Sequence, residues 1–152
     1  MESWCCCLGI KQLCRNLPQL KVKTEYYQYF FFTHTGWVSF QSKCYLMSTS
    51  TVTWSKAESL CQSVRGHLLV LNSVEELDFI SNVAEARYSY WIGLVEHEEG
   101  HWTWVDGTDF NTTPTVNGED CGQLHPSYRN QRKLWNDADC GQQYYYICES
   151  ES

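Results

Sequence analysis

The chain has 152 residues, a formal net charge of −7 and 15% aromatic residues, among them seven Trp and ten Tyr. That length suits one domain with a short extension and is enough to bury a sizeable core. The acidic balance excludes a nucleic-acid partner, which would need a basic face, and the aromatic content argues against a disordered chain.

Residues 1–32 lack periodicity and read as an irregular, cysteine-rich leader. They hold no basic n-region and no sustained apolar stretch, so neither a clear signal peptide nor a transmembrane helix is expected there. The run Tyr26 to Phe32 is too short to cross a bilayer, and Glu2 stands where myristoylation needs Gly. A folded domain is expected over 33–149, with 150–152 as a tail. Order begins at Gly36-Trp37, and Lys43 to Met47 alternates as a strand. Thr53 can cap a helix in which Trp54, Ala57, Leu60, Cys61 and Val64 recur at helical spacing. Arg65-Gly66 ends it, with Gly66 suited to the left-handed position. His67 to Leu71 is a short apolar strand. Ser73 and Glu76 have capping-box spacing, and Val74, Leu77, Phe79, Ile80, Val83 and Ala84 form the inward side of a second helix.

Beyond Tyr88 the pattern turns to strands and loops. Tyr90–Leu94 and His101–Val105 read as strands, followed by a turn at Asp106-Gly107 and a polar loop from Thr108 to Gly118. Asp120–Leu124, Lys133–Trp135 and Tyr144–Cys148 close a sheet. Two helices followed by an antiparallel sheet is an α+β plan. The stretch from His125 to Lys133 reads as a solvated basic loop, although Tyr128 and Arg129 are residue types that anchor protein interfaces.

The nine cysteines point to an oxidising compartment, with Cys61, Cys121, Cys140 and Cys148 spread through the compact part as disulfide partners. Cys5, Cys6, Cys7, Cys14 and Cys44 remain, and an odd total leaves at least one thiol free, modified or paired between chains, a route to oligomers. No C-x-x-C pair occurs, which excludes a zinc ribbon. Asn111-Thr112-Thr113 is a glycosylation sequon and fits a secretory route.

Two oxygen-rich clusters adjoin cysteines: Glu119-Asp120 before Cys121, and Asn136-Asp137 just before Cys140. A bond between those cysteines would draw the clusters together and supply the raw material of a calcium site. The alternative is two polar turns beside a structural disulfide. His97-Glu98-Glu99-Gly100-His101 satisfies H-E-x-x-H, but that chemistry needs a helix, and these residues lie between strand-like runs with a glycine among them. No nucleophile–base pair stands out either, so an enzyme is not expected.

Trp91-Ile92-Gly93-Leu94, Trp102-Thr103-Trp104-Val105-Asp106-Gly107, Glu119-Asp120-Cys121, Trp135-Asn136-Asp137 and Tyr146-Ile147-Cys148-Glu149 occur in the order in which C-type lectin-like domains carry them. From about Gly36 to Glu149 the chain resembles that family, in the immune-receptor style. The resemblance implies two helices packed on antiparallel sheets with a long ligand-binding loop. It implies the pairings Cys61–Cys148 and Cys121–Cys140. Cys44 matches the downstream cysteine of an extra hairpin bridge, but Thr33-His34-Thr35 stands where its partner belongs. That leaves Cys44 free, bonded to Cys14, or bonded to another chain.

By the same resemblance, Glu119, Asn136 and Asp137 match calcium ligands, Asp137 also through its backbone carbonyl, with Trp135 packed beneath. The family's sugar-binding members carry Glu-Pro-Asn or Gln-Pro-Asp in the long loop. Here Thr113-Pro114-Thr115 stands in that place, so Thr113 and Thr115 are the weakened half of a carbohydrate site formed with Glu119, Asn136 and Asp137. A second calcium would draw on Glu96, Glu99 and Asp120, with Asn117 beside them; the alternative is a solvated acidic loop. The implied function is calcium-dependent recognition of a glycan or cell-surface glycoprotein, outside the cell or at its surface. The other implied function is calcium-free binding of a protein ligand, as in natural-killer-type receptors.

Overall fold

The computed structural model describes residues 36–98, 100–108, 110, 121–128 and 131–151. Strands β1 (Trp37–Phe40) and β2 (Lys43–Met47) form a hairpin in which Phe40 pairs with Lys43. Helix α1 (Trp54–Ser63), the short β3 (His67–Leu68) and helix α2 (Val74–Val83) follow. Then come β4 (Tyr90–Glu98), β5 (His101–Trp104), β6 (Cys121–Leu124), β7 (Trp135–Ala138) and β8 (Tyr145–Glu151). The sheet runs β1-β2-β8-β4-β6-β7, with β3 added to β8 and β5 to β4.

The α+β expectation is met, with one amendment: β4 and β8 run parallel, so the sheet is mixed. The central strand explains why. Tyr90 to Val95 is buried throughout, a continuous apolar run rather than an alternating one, because both faces of β4 are covered. Tyr90, Ile92 and Leu94 enter one core cluster with Tyr45, Leu69, Val70, Ile80 and Ile147. Trp91 and Val95 enter the other, with Ala57, Leu68, Cys61, Cys121 and Cys148, and Cys140 packs against it. The bonds are Cys61–Cys148, which staples α1 to β8, and Cys121–Cys140, which closes the β6–β7 segment. Both match the pairings the resemblance implied. Cys44 is disulfide-bonded as well, which removes the free-thiol alternative.

Several local readings are corrected. The left-handed residue after α1 is Arg65 (φ 63°), not Gly66. Gly66 is needed for another reason: a Cβ there would sit 2.2 Å from the carbonyl oxygen of Glu149 on β8. Val64 and Val74, assigned inward, are 43% and 54% exposed because each lies at a helix end rather than on its packed stripe. Ser73 Oγ accepts the Glu76 N–H at 3.1 Å, as a capping residue should, but Glu76 does not return the bond to Ser73. Its carboxylate turns inward and accepts the Asn72 N–H at 2.7 Å. β8 continues through Ser150 and Glu151, which pair with Cys44 and Lys43, so these two residues of the expected tail are part of the sheet. Lys133 to Leu134 lie outside any strand, and β7 instead runs to Ala138.

The basic stretch before Trp135 is only partly a solvated loop. Lys133 is fully buried, donating from Nζ to the carbonyls of Ala86 (3.1 Å) and Tyr88 (2.9 Å). Its backbone N–H donates to Ser81 Oγ at 2.9 Å, and its ammonium lies 5.4 Å from the centre of the Tyr90 ring. Burial pushes the Lys133 ammonium below the usual lysine value, with Glu85 opposing.

Candidate functional site

Asn136 and Asp137 sit in the middle of β7, the edge strand of the sheet. β6 sets their register: Leu124 faces Trp135, Gln123 faces Asn136, Gly122 faces Asp137 and Cys121 faces Ala138. Gly122 lets β6 lie close against β4, since a Cβ there would meet Leu94 Cβ at 2.7 Å. The disulfide from Cys121 to Cys140 ties off the two strands next to these residues.

Trp135 fixes the strand from below, as the resemblance implied. Its ring meets Trp102 edge-on at 5.7 Å and Phe110 edge-on at 5.3 Å, and Phe110 in turn meets Trp104 at 5.6 Å. Packed aromatic rings hold their geometry with few rotatable bonds, so this set of two buried and two half-buried rings makes a stiff floor.

Neighbours on a strand alternate faces, so Asn136 is exposed and Asp137 half-buried. The groups that converge are the Asn136 side-chain amide and the Asp137 backbone carbonyl, with Nδ2 donating to that oxygen at 2.5 Å. An amide presents nitrogen and oxygen in nearly the same shape. Half a turn of the Asn136 amide would therefore set two oxygens side by side on the exposed side of β7. The donor set is chemically suited to calcium, which takes about six to eight hard oxygen ligands.

Glu119, Asp120, Thr113, Thr115, Glu99, Asn111 and Asn117 lie outside the described residues. Glu96 is described. It stands in β4 opposite Trp102, and its carboxylate accepts the Gly100 N–H, closing the β4–β5 hairpin. Among the described residues, no three His, Cys, Asp or Glu side chains gather as metal ligands. The H-E-x-x-H residues fall in that hairpin, His97 and Glu98 on β4 and His101 on β5, where no helix face exists to align two histidines.

A polar cluster missed in the sequence joins β2, β8 and α2, away from β7. Lys43 Nζ meets Glu76 Oε1 at 3.1 Å and Glu149 Oε1 at 2.7 Å, with both carboxylates almost fully buried. Tyr45 donates its hydroxyl to Glu76, and Val70 donates its N–H to Glu149 at 2.9 Å. Burial and the neighbouring Glu76 hold the Tyr45 hydroxyl protonated. The cluster ties β2, α2 and β8 together. The visible signal was Glu149 following Cys148, but nothing local announced its partners.

Residues 50–150 match the lectin C-type domain family. The chain belongs to the C-type lectin family. The lectin domain is 38% identical over 130 residues to C-type lectin domain family 10 member A of Homo sapiens, covering 76% of this chain and 39% of that protein. It therefore spans well under two thirds of that relative. Among solved structures, the C-type lectin domain of murine dendritic cell inhibitory receptor 2 in complex with N-glycan is similar at a TM-score of 0.69 and 27% identity, covering 78% of this chain and 98% of that one. A calcium-independent type II antifreeze protein is similar at a TM-score of 0.65 and 26% identity, covering 77% and 92%. The family is one of lectin domains, not of enzymes. Among the described residues, no helix is long and apolar enough to cross a membrane.

Proposed function

We propose that this lectin domain binds carbohydrate through calcium held at Asn136, Asp137 and Glu119. The observation that carries the reading is the convergence of the Asn136 amide and the Asp137 carbonyl on the exposed edge strand, above the Trp135 floor. Calcium bound there supplies two coordination positions to vicinal hydroxyls of a sugar. Asn136 and Asp137 contribute oxygens to hold it and polar groups to orient those hydroxyls. Trp135 and the Cys121–Cys140 bond keep both residues in register. Thr113 and Thr115 contribute less than the carboxylate and amide found at those places in sugar-binding members, so weak binding is expected. Glu96, Glu99 and Asp120 are the residues proposed for a second, structural ion, with Glu96 first having to release Gly100. The relative solved with an N-glycan makes a glycan or cell-surface glycoprotein the favoured partner. The disulfides suit an extracellular or cell-surface setting, with Asn111 as a glycosylation position and the leader cysteines as a route to oligomers.

The second reading is calcium-free binding of a protein ligand. Thr113-Pro114-Thr115 favours it, and so does the similarity to a calcium-independent relative. Calorimetric titration with Ca²⁺, repeated on Asp137→Ala, separates the two. Heat in the parent that is lost in the variant, together with retention on mannose- or galactose-coated resin, supports the lectin mechanism. No heat in the parent removes it, and calcium binding without retention favours a protein partner.

A further inference from the structure

Gln123 of β6 stands directly across from Asn136 of β7. It is only 5% exposed, yet among the described residues its side-chain Oε1 has no hydrogen-bond partner. Buried acceptors are almost always satisfied, so an orphan is costly and points to a donor that arrives in another state. Residues directly opposite on antiparallel strands share a face, with Cβ atoms about 4.5–5.5 Å apart, within reach of two amide side chains.

Asn136 has the complementary problem. Its Nδ2–H is bonded to the Asp137 carbonyl, one of the oxygens that should face a cation. We propose that Gln123 is the positioning residue for Asn136, taking the Nδ2–H onto Oε1 so that Asn136 Oδ1 and the Asp137 carbonyl are released together toward calcium. This rests on the calcium reading above. One rotation of Asn136 satisfies the orphan on β6 and frees two oxygens on β7. The backbone of β6 does not have to move, since Gly122 already packs it tightly on Leu94. Of the other orphaned groups, Trp102 Nε1 is a donor and cannot take the Asn136 N–H, and Ser127 belongs to the loop after β6.

The test compares the full chain with Gln123→Met and Gln123→Glu by thermal melting in chelator and by Ca²⁺ titration. In the metal-free state Gln123→Met loses no bond, so it should melt at or above the parent temperature. Its calcium affinity should fall by about ten- to a hundredfold, the usual cost of removing a residue that orients a metal ligand. Gln123→Glu keeps the acceptor oxygen and should retain calcium binding. The Asn136 side-chain amide resonances should shift on calcium addition in the parent in a way that Gln123→Met abolishes. Parent-like calcium affinity in Gln123→Met overturns the positioning role while leaving the calcium reading intact. A lowered metal-free melting temperature with unchanged calcium affinity marks Gln123 as structural only. No calcium response in the parent overturns both.

Discussion

Lys43 Nζ on β2 lies 2.7 Å from Glu149 Oε1 on β8, and the same ammonium reaches Glu76 of α2 at 3.1 Å. Two buried carboxylates thus share one cation. Removing that cation leaves uncompensated buried charge, which is far more costly than the pair is stabilising. Lys43→Met is expected to destabilise the domain by about 3 kcal/mol, toward the lower end for such pairs because Lys43 keeps 24% exposure. Urea unfolding of the two proteins at neutral pH measures the difference.

The same cluster sets a pH dependence. Burial raises the Glu149 carboxyl above the ordinary glutamate value, against the pull of Lys43 and the Val70 N–H. A carboxyl raised in the folded state binds its proton more readily there than in the unfolded chain. Its contribution is therefore fully present below the unfolded pKa and lost as pH rises through the folded one. Glu149→Gln should remove that falling limb, so the difference between the two melting curves should change with pH from about 4 upward. A constant difference across that range would count against the assignment. For Lys43, burial alone lowers the ammonium, but the bonds and charges of Glu149 and Glu76 outweigh it and leave it raised. Its contribution is present below the unfolded lysine value and lost as pH rises through the folded one, at the alkaline end.

The two disulfides should differ in weight. Cys61 and Cys148 are 87 residues apart and Cys121 and Cys140 are 19 apart. The chain-entropy model then gives roughly 4–5 kcal/mol for the first and about 3 kcal/mol for the second. Cys121→Ser with Cys140→Ser should therefore leave a folded but weakened domain with impaired calcium binding. Denaturant titration of each double variant, with the calcium titration repeated, checks both parts.

Lys133→Ala should cost about 2–4 kcal/mol, because it empties a buried site and strips the Ala86 and Tyr88 carbonyls of their donor. A surface lysine would cost almost nothing. Melting temperatures of Lys133→Ala and of Arg132→Ala, whose pair with Asp78 is exposed to solvent and screened, make the comparison, with the larger loss expected for Lys133→Ala.

Replacing Thr113 with Glu and Thr115 with Asn adds oxygen donors where the hydroxyls are weak ones. If the ion binds at Asn136 and Asp137, that double variant should bind calcium more tightly, by about tenfold or more. Calorimetry gives the answer directly. Unchanged binding would place the ion, or the loop, elsewhere.

The order of strands and helices is legible because the helices repeat their apolar residues at helical spacing, while β4 shows as a short continuous apolar run bounded by polar segments. The disulfide framework and the Trp135-Asn136-Asp137 motif were legible through resemblance alone, since nothing in the spacing of cysteines fixes their pairing. Glu76 reads as a capping residue because its near neighbours are all that local sequence displays. Its role as half of a buried ion cluster depends on Lys43, Tyr45 and Glu149, which are brought up from two distant strands.

The ordered motifs alone carry the fold family, and by resemblance they single out the oxygen-bearing residues and set Thr113-Pro114-Thr115 opposite them. Long-range packing puts Lys133 inside, gives the left-handed turn to Arg65 rather than Gly66, and sets Gln123 across from Asn136 with an oxygen that no described residue uses. The reason is physical. Periodicity reports which face of an element is apolar, whereas the fate of a charged or amide group depends on which partners arrive from 13 residues away, as Asn136 does for Gln123, or from 45, as the Tyr88 carbonyl does for Lys133.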